Sequence, residues 1–300
     1  MNNRVKKILN NPAALFLTLG YRGCFNWMSD EKYLKIAYRC KVHKKLNLDN
    51  PKTFTEKLQW LKIHDRKPEY TDMVDKLGAK KFIISNVGKE YAVPTLGVWE
   101  RYEDICFQNL PDKFVLKCTH DSGSFAICTE KKSFDYKKAK RILSKGLKHN
   151  SYWAAREWPY KNVKPQIIAE PYLEDSQTGE LRDYKFFMFN GVPRVFYITS
   201  GRKKGDRRTD FFDMELNHLD IQDDDKNAEI PPAIPENFDK MIEIAKQISK
   251  NIPQLRVDFY EVDGKVYVGE MTFYYLGGFV PFKPEKWDEI FGNWIDLSIV

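Results

Sequence analysis

The segment Arg256–Phe273, RVDFYEVDGKVYVGEMTF, constrains the chain more than any other. Two runs of alternating residues flank Asp263–Gly264, the pattern of an antiparallel hairpin with one face packed on a core. Arg256, Asp258, Glu270 and Thr272 fall at even positions, so the two polar residues within each strand share a face. Val257, Phe259, Met271 and Phe273 take the other face. Turn length decides whether the two polar pairs meet. A two-residue loop without a compensating bulge would put Asp258 opposite Gly269 and leave Glu270 on the far face, whereas a three-residue loop with Gly264 left-handed would bring all four together. In the second case two carboxylates and a hydroxyl converge on a hard-oxygen site suited to Mg²⁺ bridging phosphates. In the first, the polar residues form an ordinary strand face turned to water.

The rest of the chain has the elements of an α+β protein. Tyr33, Leu34, Ala37 and Tyr38, then Phe54, Leu58 and Leu61, follow helical spacing, and Thr53 with Glu56 forms a capping box ahead of the second run. Strand text begins near residue 113 and includes a hairpin signal at Asn190–Gly191, while 202–235 reads as a long loop or lid with an excursion at DFFDMEL. The 300 residues are 42% hydrophobic and 14% aromatic, enough for a large core without disulfides. A net charge of +7 suits an anionic ligand, but no nucleic-acid-binding motif accompanies the KKGDRR run at 203–208, so no nucleic-acid partner is expected. Five cysteines without a CxxC spacing fit a reduced, cytoplasmic chain. The apolar stretch Ala13–Leu19 is shorter than the roughly 20 residues that span a bilayer. It reads as a helix packed on the body, with peripheral contact at the inner face of the membrane as the alternative.

Two further constellations carry chemistry. In FVLKCTHDSGS, Lys117 ends an apolar strand just before Ser122, Gly123 and Ser124, small residues that let backbone N–H groups approach phosphate oxygens. The bland reading is a hairpin turn, and His120 beside it reads as a hydrogen-bonded structural residue. In IIAEPYLED, Glu170, Tyr172 and Leu173 offer a carboxylate and a backbone edge to an adenine, and Asp183 and Lys185 share a face on the next strand, placed to meet a ribose and a phosphate. Surface charge pairs are the alternative.

The order of these pieces resembles the ATP-grasp superfamily, in which two α+β subdomains hold ATP between them. More closely, NPKTFTEKLQWLKIHDR, DKFVLKCTHDSGS, REWPYKNVKPQIIAEPYLED, DYKFFMFNG and RVDFYEVDGKVYVGEMTF look like the TupA-like ATP-grasp family of polysaccharide and cell-envelope biosynthesis, over about residues 25–295. The implied organisation is a helical region at 1–75, a small linker subdomain at 76–112, a small subdomain with the phosphate loop at 113–165, and a large subdomain with the adenine and metal sites at 166–300.

The resemblance implies that Lys117 contacts the α- and β-phosphates, that Ser122, Gly123 and Ser124 cover them, and that Glu170 takes the adenine amino group beside Tyr172 and Leu173. It further implies that Asp183 holds the ribose and that Asp258 and Glu270 ligate Mg²⁺. Thr272 stands where the superfamily usually has Asn, and Tyr275 where a proline is expected. The implied chemistry is an ATP- and Mg²⁺-dependent carboxylate–amine ligase acting through an acyl phosphate. Arg256, Lys185, Arg202, Arg207 and Arg208 are its candidate catalytic cations, and a uronic acid of a capsular or surface polysaccharide is its carboxylate. The alternative is a glycosyltransferase-like enzyme of the same pathways with a sugar nucleotide in the cleft.

Overall fold

The computed structural model describes residues 12–300 apart from 177, 178, 180, 202–204 and 224. Two antiparallel sheets dominate it. One has four strands in the order β1 (Gly97–Trp99), β4 (Ile167–Pro171), β2 (Phe114–Cys118) and β3 (Phe125–Cys128). The other has five, in the order β7 (Arg208–Asp213), β6 (Val192–Ser200), β5 (Asp183–Phe189), β8 (Gln254–Val262) and β9 (Lys265–Thr272).

Two expected boundaries shift. β4 pairs with β1 and β2, so a division at 165/166 would cut the four-stranded sheet and separate Glu170 from Lys117. DFFDMEL does not interrupt a loop. Its first residues belong to β7, which lies along β6 as an edge strand because Phe211 and Phe212 bury their rings in the main core.

The helices fill the remaining faces. α1 (Pro12–Tyr21) and α2 (Asp30–Val42) form an N-terminal cluster around Tyr33, Leu34 and Tyr38. No helix among the described residues is long and apolar enough to cross a membrane. The expected capping box starts α3 (Phe54–His64): Thr53 Oγ1 accepts from the Glu56 N–H at 3.3 Å, and Glu56 accepts from the Thr53 N–H at 3.2 Å. That start is clamped to α9 (Lys286–Trp294), where the Asp288 carboxylate takes the Thr55 N–H at 3.1 Å and its hydroxyl at 2.8 Å. A Cβ on Gly292 would sit 2.2 Å from the Lys52 carbonyl oxygen, so this close approach needs glycine. α4 (Glu69–Val74) and α5 (Lys76–Asn86) follow, α6 (Tyr136–Gly146) and the short α7 (Tyr152–Ala155) lie beyond β3, and α8 (Phe238–Ile248) turns Met241, Ile244, Ala245 and Ile248 to the large sheet's core.

The last hairpin resolves the turn-length question in a third way. Val262 pairs with Lys265, so Asp263 and Gly264 alone make the turn, both left-handed with φ of 49° and 72°. Phe259 then pairs with Val268 and Asp258 with Glu270, which leaves Gly269 as a bulge residue. The bulge restores the register that a two-residue turn alone would have lost.

Candidate functional site

Because directly opposed residues of an antiparallel ladder project to the same face, Asp258 and Glu270 lie side by side, and Arg256 pairs likewise with Thr272. Arg256 grips Asp258 with a fork, Nε to Oδ1 at 2.6 Å and an Nη to Oδ2 at 2.8 Å, and the same Nη donates to Thr272 Oγ1 at 3.0 Å. Lys185, across from Asp258 on β5, donates to Asp258 Oδ2 as well. Burial opposes ionisation of Asp258, but Arg256 and Lys185 outweigh it and hold the carboxyl below its ordinary range. Glu270 is different: its side chain is 40% exposed, and its Oε2 stands 3.6 Å from Arg256. The Arg256 guanidinium lies over the rings of Tyr197 and Tyr275, 5.9 and 5.5 Å from their centroids. Tyr275 in turn donates to Asp223.

The four-stranded sheet supplies a second charged group. Lys117 and Glu170 come from adjacent strands, and Lys117 Nζ meets Glu170 Oε2 at 2.6 Å. The other oxygen takes Lys80 of α5 at 2.7 Å. Burial disfavours the Glu170 charge, yet the two lysines together keep its carboxyl below the usual range. The sequence reading missed Lys80. Its signal was a lysine three residues before Ile83 on the buried stripe of a helix, since both are buried while Lys81 between them is exposed.

Two cavities join these groups. One, about 240 Å³, is lined by Lys76, Lys80, Lys117, Ser122–Ser124 and Glu270. The other, about 570 Å³, is lined by Val115, Ile127, Glu170, Tyr172, Leu173 and Leu181. Val93, Lys117, Phe125, Glu170 and Tyr260 border both. Phe125 and Ile127 are each 49% exposed on the cavity side of β3, an apolar surface available to a flat ring. Gly123 has φ +120° and no atom within 4 Å of a Cβ position, so the loop is open on that side to an approaching oxyanion.

The expected residues are therefore brought together unevenly. Lys117, Ser122, Gly123, Ser124, Glu170, Tyr172, Leu173 and Glu270 line the joined cavities. Asp183 stands beside them as the partner of Thr199, which lines the larger one, and carries Lys185 3.6 Å away. Arg207 and Arg208 depart from expectation: they pair with Asp225 and Asp206, each at 2.9 Å, and line neither cavity. Arg202 lies outside the described residues. His120 is structural as expected, with Nε2 3.1 Å from the Gly146 carbonyl and 3.0 Å from that of His149.

No cluster of three or more His, Cys, Asp or Glu among the described residues could cage a metal ion. Mg²⁺ characteristically takes one or two carboxylates and completes its shell with phosphates and water, and Glu270 lining the 240 Å³ cavity with Asp258 beside it fits that habit. A carboxylate has about four lone-pair sites, and three of those on Asp258 already accept from cations. Glu270 is the freer ligand. The Thr272 hydroxyl is turned to Arg256.

Among solved structures, the chain resembles the D-alanine–D-alanine ligase of Bacillus anthracis at 17% identity and a TM-score of 0.39, over 67% of this chain and 57% of that one. It also resembles N5-carboxyaminoimidazole ribonucleotide synthetase in its ADP complex at 14% identity and a TM-score of 0.41, over 81% and 55%. The chain thus spans just over half the length of either protein. No curated protein sequence matches it. The family model of the TupA-like ATP-grasp proteins matches residues 56–296, a stretch that includes both charged groups and both cavities, and the chain belongs to that family.

Proposed function

We propose that this protein is an ATP- and Mg²⁺-dependent carboxylate–amine ligase whose carboxylate is a uronic acid of a surface polysaccharide or its precursor. The observation that carries the reading is the meeting, at one pair of joined cavities, of Lys80 from α5 and Lys117 with an open small-residue loop from the smaller sheet, and of Glu270 from the other sheet, beside Asp258 and Arg256.

In this reading the adenine lies in the apolar 570 Å³ cavity against Phe125 and Ile127, and the phosphates lie in the 240 Å³ cavity. Lys80 and Lys117 would turn from Glu170 to share the phosphate charge, and the Ser122–Ser124 amides would cover it. Glu170, once released, can accept from the adenine amino group. Bound at Glu270 and the remaining lone pair of Asp258, Mg²⁺ would supply charge neutralisation for the phosphates. Arg256 is held in place by Asp258 and Thr272 and can stabilise oxyanion charge as it develops. The substrate carboxylate attacks the γ-phosphorus and ADP departs. An amine then attacks the acyl carbon of the resulting acyl phosphate, and amide and inorganic phosphate are released.

The same reading places the chain at the inner face of the membrane, where lipid-linked sugars are made. The exposed rings of Tyr21 and Trp27 beside α1 suit such a surface.

The test replaces the unknown amine with hydroxylamine. Incubation with ATP, Mg²⁺, hydroxylamine and a panel of uronic acids should release ADP together with one hydroxamate. ADP release without hydroxamate from any uronate would contradict the reading.

A further inference from the structure

The phosphate loop has a second side. Asp121, Ser122, Gly123 and Ser124 also border a third cavity of about 810 Å³, a size that encloses a ligand of several rings. Glu157 and Tyr160 line it too. Burial raises the Glu157 carboxyl and the Tyr160 hydroxyl, both feel the charge of Glu270, and Tyr160 also feels Arg256. The loop thus borders both this cavity and the 240 Å³ one that Glu270 lines.

Three cations stand on its remaining wall, among small and apolar residues. Arg22, Lys145 and Lys148 are exposed there without an ion-pair partner among the described residues, and His149 stacks on Tyr21 with centroids 4.6 Å apart. Tyr21 ends α1 and Arg22 follows it, both outside the 56–296 stretch that matches the family. That segment is anchored firmly at this place. Arg156, 1% exposed, lies over Tyr33 at 4.4 Å and Trp153 at 4.7 Å and donates to the Phe25 carbonyl at 2.6 Å, while the Tyr33 hydroxyl donates to the Ala154 carbonyl at 3.1 Å.

We propose that this third cavity seats an oligoanionic substrate. Its reacting carboxylate reaches past the small-residue loop toward the 240 Å³ cavity, and its further negative charges rest on Arg22, Lys145 and Lys148. The N-terminal helices complete the wall of that cavity. The proposal rests on the ligase reading for the direction in which the substrate points. An oligouronate has the required chemistry, with one carboxylate to react and others spaced along the chain to meet the cations.

The experiment measures binding of trigalacturonate, galacturonate and neutral maltotriose to the full chain by calorimetry, with Mg²⁺ and a non-hydrolysable ATP analogue present. Two charge-reversed proteins, Arg22→Glu and the double variant Lys145→Glu/Lys148→Glu, are compared with the wild type. Lys145 also sits in the last turn of α6, where a cation favours the helix dipole, so melting temperatures are recorded for all three. Trigalacturonate should bind more tightly than galacturonate, maltotriose should not bind, and each variant should lose about tenfold or more in trigalacturonate affinity, at least 1.4 kcal/mol, with nucleotide affinity and melting temperature kept. Absent trigalacturonate binding, equal binding of maltotriose, or unaltered affinity in the folded variants would overturn the proposal. A wild type that binds trigalacturonate but no nucleotide would contradict the ligase reading while leaving the anion cavity standing.

Discussion

Asp258 and Glu270 face one another across the last hairpin although only two residues turn the chain between their strands. Gly269 makes that possible by bulging out of β9, and the two carboxylates then meet very different surroundings: Asp258 is 1% exposed between Arg256 and Lys185, while Glu270 opens onto the phosphate-sized cavity.

This difference separates two substitutions that look alike on paper. Asp258→Asn leaves two buried cations without their shared countercharge, so it should cost about 3–5 kcal/mol of stability, by analogy with breaking one member of a buried pair. Glu270→Gln should alter stability by less than about 0.5 kcal/mol while abolishing turnover. Urea unfolding in metal-free buffer measures both, and equal stabilities for the two variants would refute the asymmetry.

Gly269→Ala tests the bulge. An added Cβ would stand 2.6 Å from the Tyr260 ring, which borders both the 240 and the 570 Å³ cavity. The ring must shift, at about 1–3 kcal/mol of stability and with weaker nucleotide binding. Calorimetric titration with ADP and a thermal melt should show both losses together.

Lys80 and Lys117 share Glu170, so removing either leaves the other held more firmly by the carboxylate and less available to phosphate. Lys80→Met should therefore weaken ATP binding by about 10–100-fold, the range expected for a lost charge-assisted hydrogen bond. Unchanged ATP affinity in the folded variant would remove Lys80 from the site.

A pH effect follows from Lys62, which is fully buried and donates to Gln59 Oε1 and to the Ala155 and Gly277 carbonyls at 2.8, 2.9 and 2.6 Å. Burial pushes its ammonium down to about 7, with Glu157 opposing the shift. Between about pH 7 and the unfolded value near 10.4, the unfolded chain then holds one more proton than the folded one, so stability should rise with pH by up to about 1.4 kcal/mol per unit. Lys62→Met should remove that slope from a pH series of urea midpoints. A wild type whose stability stays flat over this window would show the lysine to be charged in the fold.

Features encoded within a few residues were legible in the sequence. The Thr53–Glu56 capping box, the Asn190–Gly191 turn and the Lys117 to Ser124 loop each carry their geometry in local chemistry. Features that depend on distant packing were not. The hairpin arithmetic identified the right question, but the answer lay in a bulge fitted against the Tyr260 ring, which the turn residues do not encode. Lys80 needs a helix laid over β4 before it reads as anything but a surface lysine, and β4 itself joins the smaller sheet through non-local pairing with β1 and β2. Arg207 and Arg208 looked poised only because their partners Asp225 and Asp206 had not yet been placed.

In the proposed function a metal–nucleotide complex sits against the Asp258–Glu270 face. Electron paramagnetic resonance of Mn²⁺ titrated into the protein tests it most directly, because free Mn²⁺ gives a signal that binding quenches. Mn²⁺ alone should bind weakly and tighten by about tenfold or more when ADP is present, a gain of at least 1.4 kcal/mol, and Glu270→Gln should lose that gain. Equal Mn²⁺ affinity with and without ADP, or an unaltered gain in Glu270→Gln, would contradict it.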